Sequence, residues 1–173
     1  SSARNTGIKF STSSYLCFLD DDDCWRKKKI ELQMKVLFET DYKCVYSNEV
    51  WFKNGVHLNQ LSKHQKYSGD IFEKVLPLCI ISPSSALFDR KVINDIGFFD
   101  ESFEVCEDYE YWIRLASKYK IYFLDNKLII KKGGHSGQLS KKYDAMDLFR
   151  IRALKKNIDN NNLARFNFLD NVM

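Results

Sequence analysis

The 173-residue chain contains no C-x-x-C pair, and its five cysteines, at 17, 24, 44, 79 and 106, are odd in number. That pattern argues against a disulfide framework or a zinc site and for reduced thiols in a cytoplasmic setting. No apolar run approaches the ~20 residues of a membrane span, and no basic-then-apolar leader opens the sequence. The reading is therefore of a soluble chain without a transmembrane segment. It opens on Ser rather than Met, in what reads as a helix, so a start inside a longer protein is expected. Internal repeats are absent. Neither sign of charge dominates: 27 basic against 23 acidic residues leave a net +4, which suits anionic ligands without demanding nucleic acid. The one basic run, Arg26-Lys27-Lys28-Lys29, lacks interleaved stacking aromatics and a basic face elsewhere. It reads as a solvated helix start, and no nucleic acid partner is expected. What the chain does have is 45% hydrophobic and 14% aromatic content, ample for one domain with a real core.

The organising stretch is Asp20-Asp21-Asp22-Asp23, four consecutive carboxylates following the apolar run Tyr15-Leu16-Cys17-Phe18-Leu19 and closed by Cys24-Trp25. If the run leaves a strand in extended form, Asp20 and Asp22 share a face at roughly 6 to 7 Å. Carboxylates about 5 Å apart repel by on the order of 1 kcal/mol in water and several-fold more at a partly buried site, so a positive partner is expected. A hard divalent cation, Mg²⁺ or Mn²⁺, that also holds a phosphate meets this need with one or two protein carboxylates. Two plainer readings compete. One is a solvated acidic loop, against which stand the strand that delivers it and the Trp that closes it. The other is an EF-hand calcium loop with Asp20, Asp22 and Glu31 at positions one, three and twelve. It fails at Cys24, where an oxygen ligand belongs, and at Trp25, where the sharp turn needs Gly.

Along the chain, residues 2–12 predict a short helix feeding a buried strand at 15–19 in the middle of a sheet. Residues 26–39 predict a helix whose cationic start opposes the helix dipole, a cost the four preceding aspartates offset. Residues 43–61 predict a hairpin around Asn54-Gly55. The stretch 62–76 is polar and then weakly helical. Leu78 to Ser82 is predicted as a strand or extended connector and Ser84 to Phe88 as a second extended piece, with a helix from Asp89 to Ile96 stopped by Gly97. Glu107 to Lys118 gives the clearest helix, apolar at Trp112, Leu115, Ala116 and Tyr119. Two short strands, Ile121–Leu124 and Leu128–Lys131, a Gly-rich loop at 133–137, a helix from Lys141 to Ile158 and a weak last helix complete the reading.

Taken together, Ala3-Arg4-Asn5-Thr6-Gly7-Ile8, the 15–25 strand with its D-x-D, Ser82-Pro83-Ser84-Ser85, Gly97-Phe98-Phe99-Asp100-Glu101, Glu107-Asp108 at the head of its helix, and Gly134-His135-Ser136-Gly137 resemble the family-2 inverting glycosyltransferases of the GT-A fold. The similarity runs in the family's order to about Leu154. Lys27 stands where the family usually has Pro, and Ser11 and Ser13 where Ala and Gly are common; these are packing and helix-start positions. The resemblance implies an α/β domain with a GT-A-like mixed sheet flanked by helices, lacking the first βα units, over residues 1–158, with 159–173 a helical tail.

By the same resemblance, Asp22 and Asp20 would hold the metal. Asp20 and Asp21 would also support the ribose and the metal's waters, Arg4 would face the diphosphate or the base, and His135 would reach the metal or the diphosphate when its loop closes. Asp108 would be the general base with Glu107 beside it, and Ser84, Ser85 and Trp112 would lie on the acceptor side. Trp112 reads first as core, and His57 and His64 receive no role. Because Asp20 to Asp23 would have lost neighbouring units, they are expected near a sheet edge. The implied function is metal-dependent, inverting transfer of a sugar from a nucleoside diphosphate donor, UDP or a similar nucleotide, in polysaccharide biosynthesis. Its acceptor would be a glycan or lipid-linked hydroxyl, with peripheral contact at the inner face of the membrane. The alternative is a non-catalytic remnant or binding domain that keeps the fold and has lost donor binding.

Overall fold

A computed structural model describes residues 1–134 and 146–160. Helix α1 (Ser2–Phe10) leads into strand β1 (Tyr15–Cys17), and β2 (Asp23–Trp25) precedes helix α2 (Lys29–Glu39). Strands β3 (Cys44–Lys53) and β4 (Val56–Leu58) form the predicted hairpin. Its turn residues Asn54 and Gly55 take φ of 50° and 80°, the pair of left-handed conformations that a tight two-residue hairpin requires. Then come α3 (Phe72–Val75), a 3₁₀ turn (Pro83–Ser85), β5 (Ala86–Asp89), α4 (Arg90–Ile96), α5 (Glu107–Lys118), β6 (Tyr122–Gly133) and α6 (Met146–Asp159). Asp89 caps α4 by accepting the Lys91 N–H at 2.9 Å, and Gly97, at φ 83°, ends it.

The strands join in the order β1-β5-β3-β6-β2, with β4 added to β3. The β3–β6 pair is parallel and the others antiparallel. Only six residue steps separate Cys17 from Asp23, at most about 20 Å of extended chain, and a turn closed by the Asp23 N–H to Asp20 C=O bond shortens it further. Strands at opposite ends of a flat five-strand path would stand about 19 Å apart. The sheet therefore curls, bringing the exit of β1 and the start of β2 together at one rim.

Three expectations change. The apolar run at 15–19 is an edge strand of three residues, because β5 pairs with it on one side and β3, not β1, holds the middle. The acid run accordingly joins the two terminal strands of the sheet, near an edge as expected. The two short strands predicted at 121–131 are one strand, β6, in which register shifts opposite Ser47, Asn48 and Glu49 absorb the polar Asp125-Asn126 interruption as a bulge. The basic run lies mostly ahead of α2, and its last member turns inward. Lys29 is buried, donates to Gln33 Oε1 at 2.7 Å and lies 4.5 Å from the Trp25 ring. Burial pushes its ammonium down to about 8 against the pull of Cys17.

Alternation along β3 and β5 fills both faces. Cys44, Tyr46, Ala86 and Phe88 join the larger core under α4 and α5, while Val45 and Leu87 meet Leu37 of α2. The larger core is aromatic: Phe99 stacks on Tyr111 at 4.1 Å, and Tyr111 meets Trp112 edge-on at 5.4 Å. Such pairs add about 0.5–1.5 kcal/mol each beyond area burial; the Phe99 stack ties α5 to the loop after α4, and Tyr111 reaches Phe88 of β5 at 6.4 Å. Among the described residues no helix is long and apolar enough to cross a membrane. The predicted Gly-rich loop beyond Gly134, including His135, the first turns of the helix expected from Lys141 and the tail from 161 onward lie outside the described residues.

Candidate active site

Helix α5 begins abruptly. Cys106, directly before it, sits at φ 62° and ψ 19°, a left-handed conformation that costs a non-glycine residue roughly 1–2 kcal/mol. Strain of this kind concentrates at functional sites, and here it aims Glu107 and Asp108, the first residues of α5, at the acid run. Arg4 of α1 completes the link: its guanidinium donates to Asp20 Oδ1 at 2.7 Å and to Glu107 Oε1 at 2.6 Å. Asn5, next to it, fixes α1 to the loop after α4, donating to the Phe99 carbonyl at 2.8 Å and accepting its N–H at 3.0 Å. The A-R-N segment is thus a clamp joining three distant pieces of sequence.

Around that clamp opens a cleft of about 1340 Å³ lined by Arg4, Asp20, Asp21, Asp22, Glu107 and Asp108 and, from β6, Lys131 and Lys132. Among the described residues, five carboxylates there face three side-chain cations. Asp23 is set apart from its neighbours: buried, it starts β2 opposite Lys131 of β6 and pairs with its ammonium at 3.8 Å. Lys131 was not singled out by sequence reasoning. Its one sequence signal is the cross-strand register with an aspartate, which requires knowing that a three-residue strand at 23–25 pairs with residues more than a hundred positions later. Burial works to lower the Lys131 ammonium, but Glu49, Asp23, Asp20 and Asp108 outweigh it and raise it, so this cation stays charged.

Asp108 is half-buried. Its Oδ1 accepts the Tyr109 N–H at 2.7 Å, and the Cys79 thiol lies 3.6 Å from Oδ2. Burial and the adjacent Glu107 push its carboxyl above the ordinary carboxylate range, against the Tyr109 N–H, Arg4 and Lys131. A base raised toward neutrality while still facing a cleft is suited to taking a proton. Glu107, held by Arg4, is less free to do so.

Ser84 and Ser85, expected on the acceptor side, are fully buried. The Ser84 hydroxyl accepts the Asp20 N–H at 3.0 Å and its carbonyl accepts Trp25 Nε1–H at 3.0 Å, while the Ser85 carbonyl accepts Gln33 Nε2–H at 2.7 Å. Here they fasten the acid run and α2 to the sheet. Trp112 lies in the core.

Behind Asp108 a second, smaller cavity of about 170 Å³ is built on Glu49, Trp51, His64, Lys66 and Ser82. Trp51, Asp108 and Lys131 line both cavities.

Residues 1–97 match the family described as Glycosyl transferase family 2. A glycosyltransferase of Rickettsia bellii is 32% identical over 150 residues, 83% of this chain and 22% of its own length. The Escherichia coli UDP-Glc:alpha-D-GlcNAc-diphosphoundecaprenol beta-1,3-glucosyltransferase WfgD is 27% identical over 75% of this chain and 49% of its own. The chain spans between 21% and 49% of the length of the curated relatives it matches. Among solved structures, residues 1–349 of Staphylococcus aureus TarS with UDP-GlcNAc superpose with a TM-score of 0.61 at 18% identity, covering 81% of this chain and 40% of that one.

Proposed function

The chain belongs to glycosyl transferase family 2, and on that premise we propose that it forms the catalytic rim of an enzyme moving a sugar from a UDP donor to a hydroxyl of a lipid-linked glycan. The observation that carries the proposal is the position of Asp108, a raised carboxyl at the junction of an ionic cleft and a smaller cavity. Two kinds of relative supply the substrate classes. TarS is described in complex with UDP and with UDP-GlcNAc, and WfgD is named for a UDP-Glc donor and a diphosphoundecaprenol-linked acceptor. A lipid-linked acceptor places the reaction at a membrane face, reached by a domain that need not cross it.

In this reading the nucleoside diphosphate lies in the large cleft. The acceptor oxygen attacks the anomeric carbon from the side opposite the diphosphate and gives its proton to the Asp108 carboxylate. The bond between the anomeric carbon and the phosphate oxygen breaks, its electron pair leaves on UDP, and the product is inverted. Lys131 and Lys132 border the diphosphate, and Arg4 holds Asp20 and Glu107 in place.

Among the described residues the cleft sets five carboxylates against three cations, which do not by themselves balance an incoming diphosphate. Among the described residues no group of three or more metal-ligating side chains is preformed. The oxygens present fit a hard cation that borrows the rest of its ligands from the donor. Asp22, with Asp20, is the residue to hold Mg²⁺ or Mn²⁺ there. Such an ion, when bound, neutralises the charge that grows on the leaving diphosphate.

The measurement is calorimetric titration of UDP into the full-length protein. Affinity is expected to fall about tenfold or more on chelation or in Asp22→Ala, the loss of one charge-assisted contact. Equal affinity with and without Mn²⁺ or Mg²⁺, or an unaffected Asp22→Ala, removes the metal from this reading. No UDP binding under any condition leaves a binding domain without a donor site.

A further inference from the structure

Glu49 and Lys66 form a buried pair that the transfer chemistry above does not use. Their side chains are 3% and 5% exposed and 3.8 Å apart. Glu49 Oε2 accepts Trp51 Nε1–H at 2.8 Å, the Ser82 hydroxyl donates to Oε1, and Lys66 donates to the Ile80 carbonyl at 2.7 Å. Burial works to raise the Glu49 carboxyl, and Lys66, Lys131, Ser82 and Trp51 outweigh it, holding it below its usual range. A buried ion pair is a weak source of stability, since desolvation offsets most of its attraction. Its retention beside a cavity asks for another explanation, and the cavity has features of a ligand site.

Four features define what fits there. The volume, about 170 Å³, lies below the roughly 300 Å³ at which sites for drug-sized ligands begin, so one sugar ring is the scale of the guest. The walls are mixed: the Trp51 indole, met by His64 at 4.7 Å between ring centres, and the Ile80–Ile81 segment offer apolar surface for the C–H face of a ring. The charges cancel, with Glu49 and Asp108 against Lys66 and Lys131. Several donors and acceptors with no net charge suit hydroxyl groups and disfavour an ionised guest. The last feature is position: Asp108 and Lys131 are shared with the donor cleft, so a ring in the small cavity presents its hydroxyl to the proposed base.

We propose that this cavity seats the terminal sugar of the acceptor, a neutral pyranose, with Trp51 and Ile80 as its walls and Glu49 and Ser82 as its hydroxyl-binding groups. The assignment rests on the transferase reading and extends it to the acceptor. His64, which the sequence left without a role, closes the cavity's outer wall. Glu49 and Lys66 position Ser82 and Trp51 and match the guest's neutrality.

The test is saturation-transfer NMR on the full-length protein, with methyl glucoside, methyl N-acetylglucosaminide and methyl glucuronide as probes and UDP titrated into the same samples. At least one neutral glycoside is expected to show saturation and the glucuronide none. Cys79→Leu, which fills the cavity, and His64→Ala, which opens its wall from a solvent-facing turn, are each expected to cut the signal about fivefold or more, the loss of about one good contact. UDP affinity is expected to hold in both, because neither side chain lines the large cleft. Signal unchanged in His64→Ala and in a folded Cys79→Leu overturns the assignment. So does stronger saturation of the glucuronide, or none of either neutral glycoside while UDP binds. Failure of UDP to bind counts against the donor reading separately, since glycoside saturation is read without it.

Discussion

Asp108→Asn is expected to lower turnover by about 10²-fold or more, the scale of general-base catalysis, while UDP affinity and the fold persist. Asn keeps the shape and can still accept the Tyr109 N–H that Asp108 takes at 2.7 Å, but it cannot receive a proton. The wild-type pH profile should carry the same signature. The base must be ionised, so activity falls as pH drops through the Asp108 pKa, and that limb should lie above the ordinary carboxylate range because burial and Glu107 raise it. In Asp108→Asn the limb disappears along with the rate.

Stability should move the other way. A carboxyl whose pKa is higher folded than unfolded binds its proton more tightly in the folded state, so ionising it destabilises the fold. Asp108→Asn should therefore melt at the same temperature or higher near neutrality, with the advantage fading in acid as Asp108 becomes protonated. Activity lost together with stability gained separates a catalytic carboxylate from a structural one. Turnover near wild type would shift the role to another group. Glu107 is the nearest, and it could serve only after releasing Arg4, 2.6 Å away.

The sequence carried the parts of this site whose signals are local. Periodicity marked α5, the Asn54-Gly55 pair marked the hairpin, and the acid run after an apolar strand marked the rim. Relations across distant sequence were not legible. Strand β2 is Asp-Cys-Trp, three residues headed by a strand-disfavouring Asp and too short to show alternation, and it exists because Ile129, Ile130 and Lys131 offer it a partner; with it went the pairing of Asp23 to Lys131. The Glu49–Lys66 pair is separated by the Asn54-Gly55 hairpin turn and a short 3₁₀ turn at Ser62–His64, and each residue alone reads as a surface charge. Ser84 and Ser85 follow the family's motif yet are turned inward here, a distinction of side-chain direction that a motif does not encode. Lys29 shows the same limit in reverse: a charge run reads as solvated until one member finds Gln33 and an indole face indoors.

Arg114→Met is expected to destabilise the domain by about 3 kcal/mol, the low end for removing one partner of a buried ion pair. At this chain length that corresponds to a fall in Tm of roughly 6–12 °C. Glu110 is fully buried on α5, and Arg114, one turn later, grips it with two bonds of 2.8 Å. The same guanidinium donates to the Ile96 carbonyl and, at 2.9 Å, to the Phe98 carbonyl. Met preserves the stem but not the guanidinium, whose Cζ lies 5.0 Å from the centre of the Tyr111 ring, so what is lost is charge, hydrogen bonding and that cation–π contact. Lys156 of α6, bonded to Glu110 and Asp100 at 2.8 Å each, keeps the remaining carboxylate from being wholly unpaired, which is why the low end applies.

The consequence should reach the site. The carbonyls that Arg114 holds begin the loop to which Asn5 is bonded at Phe99, and Asn5 lies beside the Arg4 that clamps Asp20 to Glu107. Loosening that loop should weaken UDP binding without touching a residue of the cleft. Pairing the change with Glu110→Leu supplies the control. If the cost is an orphaned buried charge, the double variant should recover a large part of the lost Tm, because two apolar side chains of similar size replace a buried pair at little cost. Thermal melts and UDP titrations of the two single variants and the double decide the matter. A double variant as unstable as the sum of the singles would locate the energy in the carbonyl bonds to the 96–98 loop instead of in the ion pair.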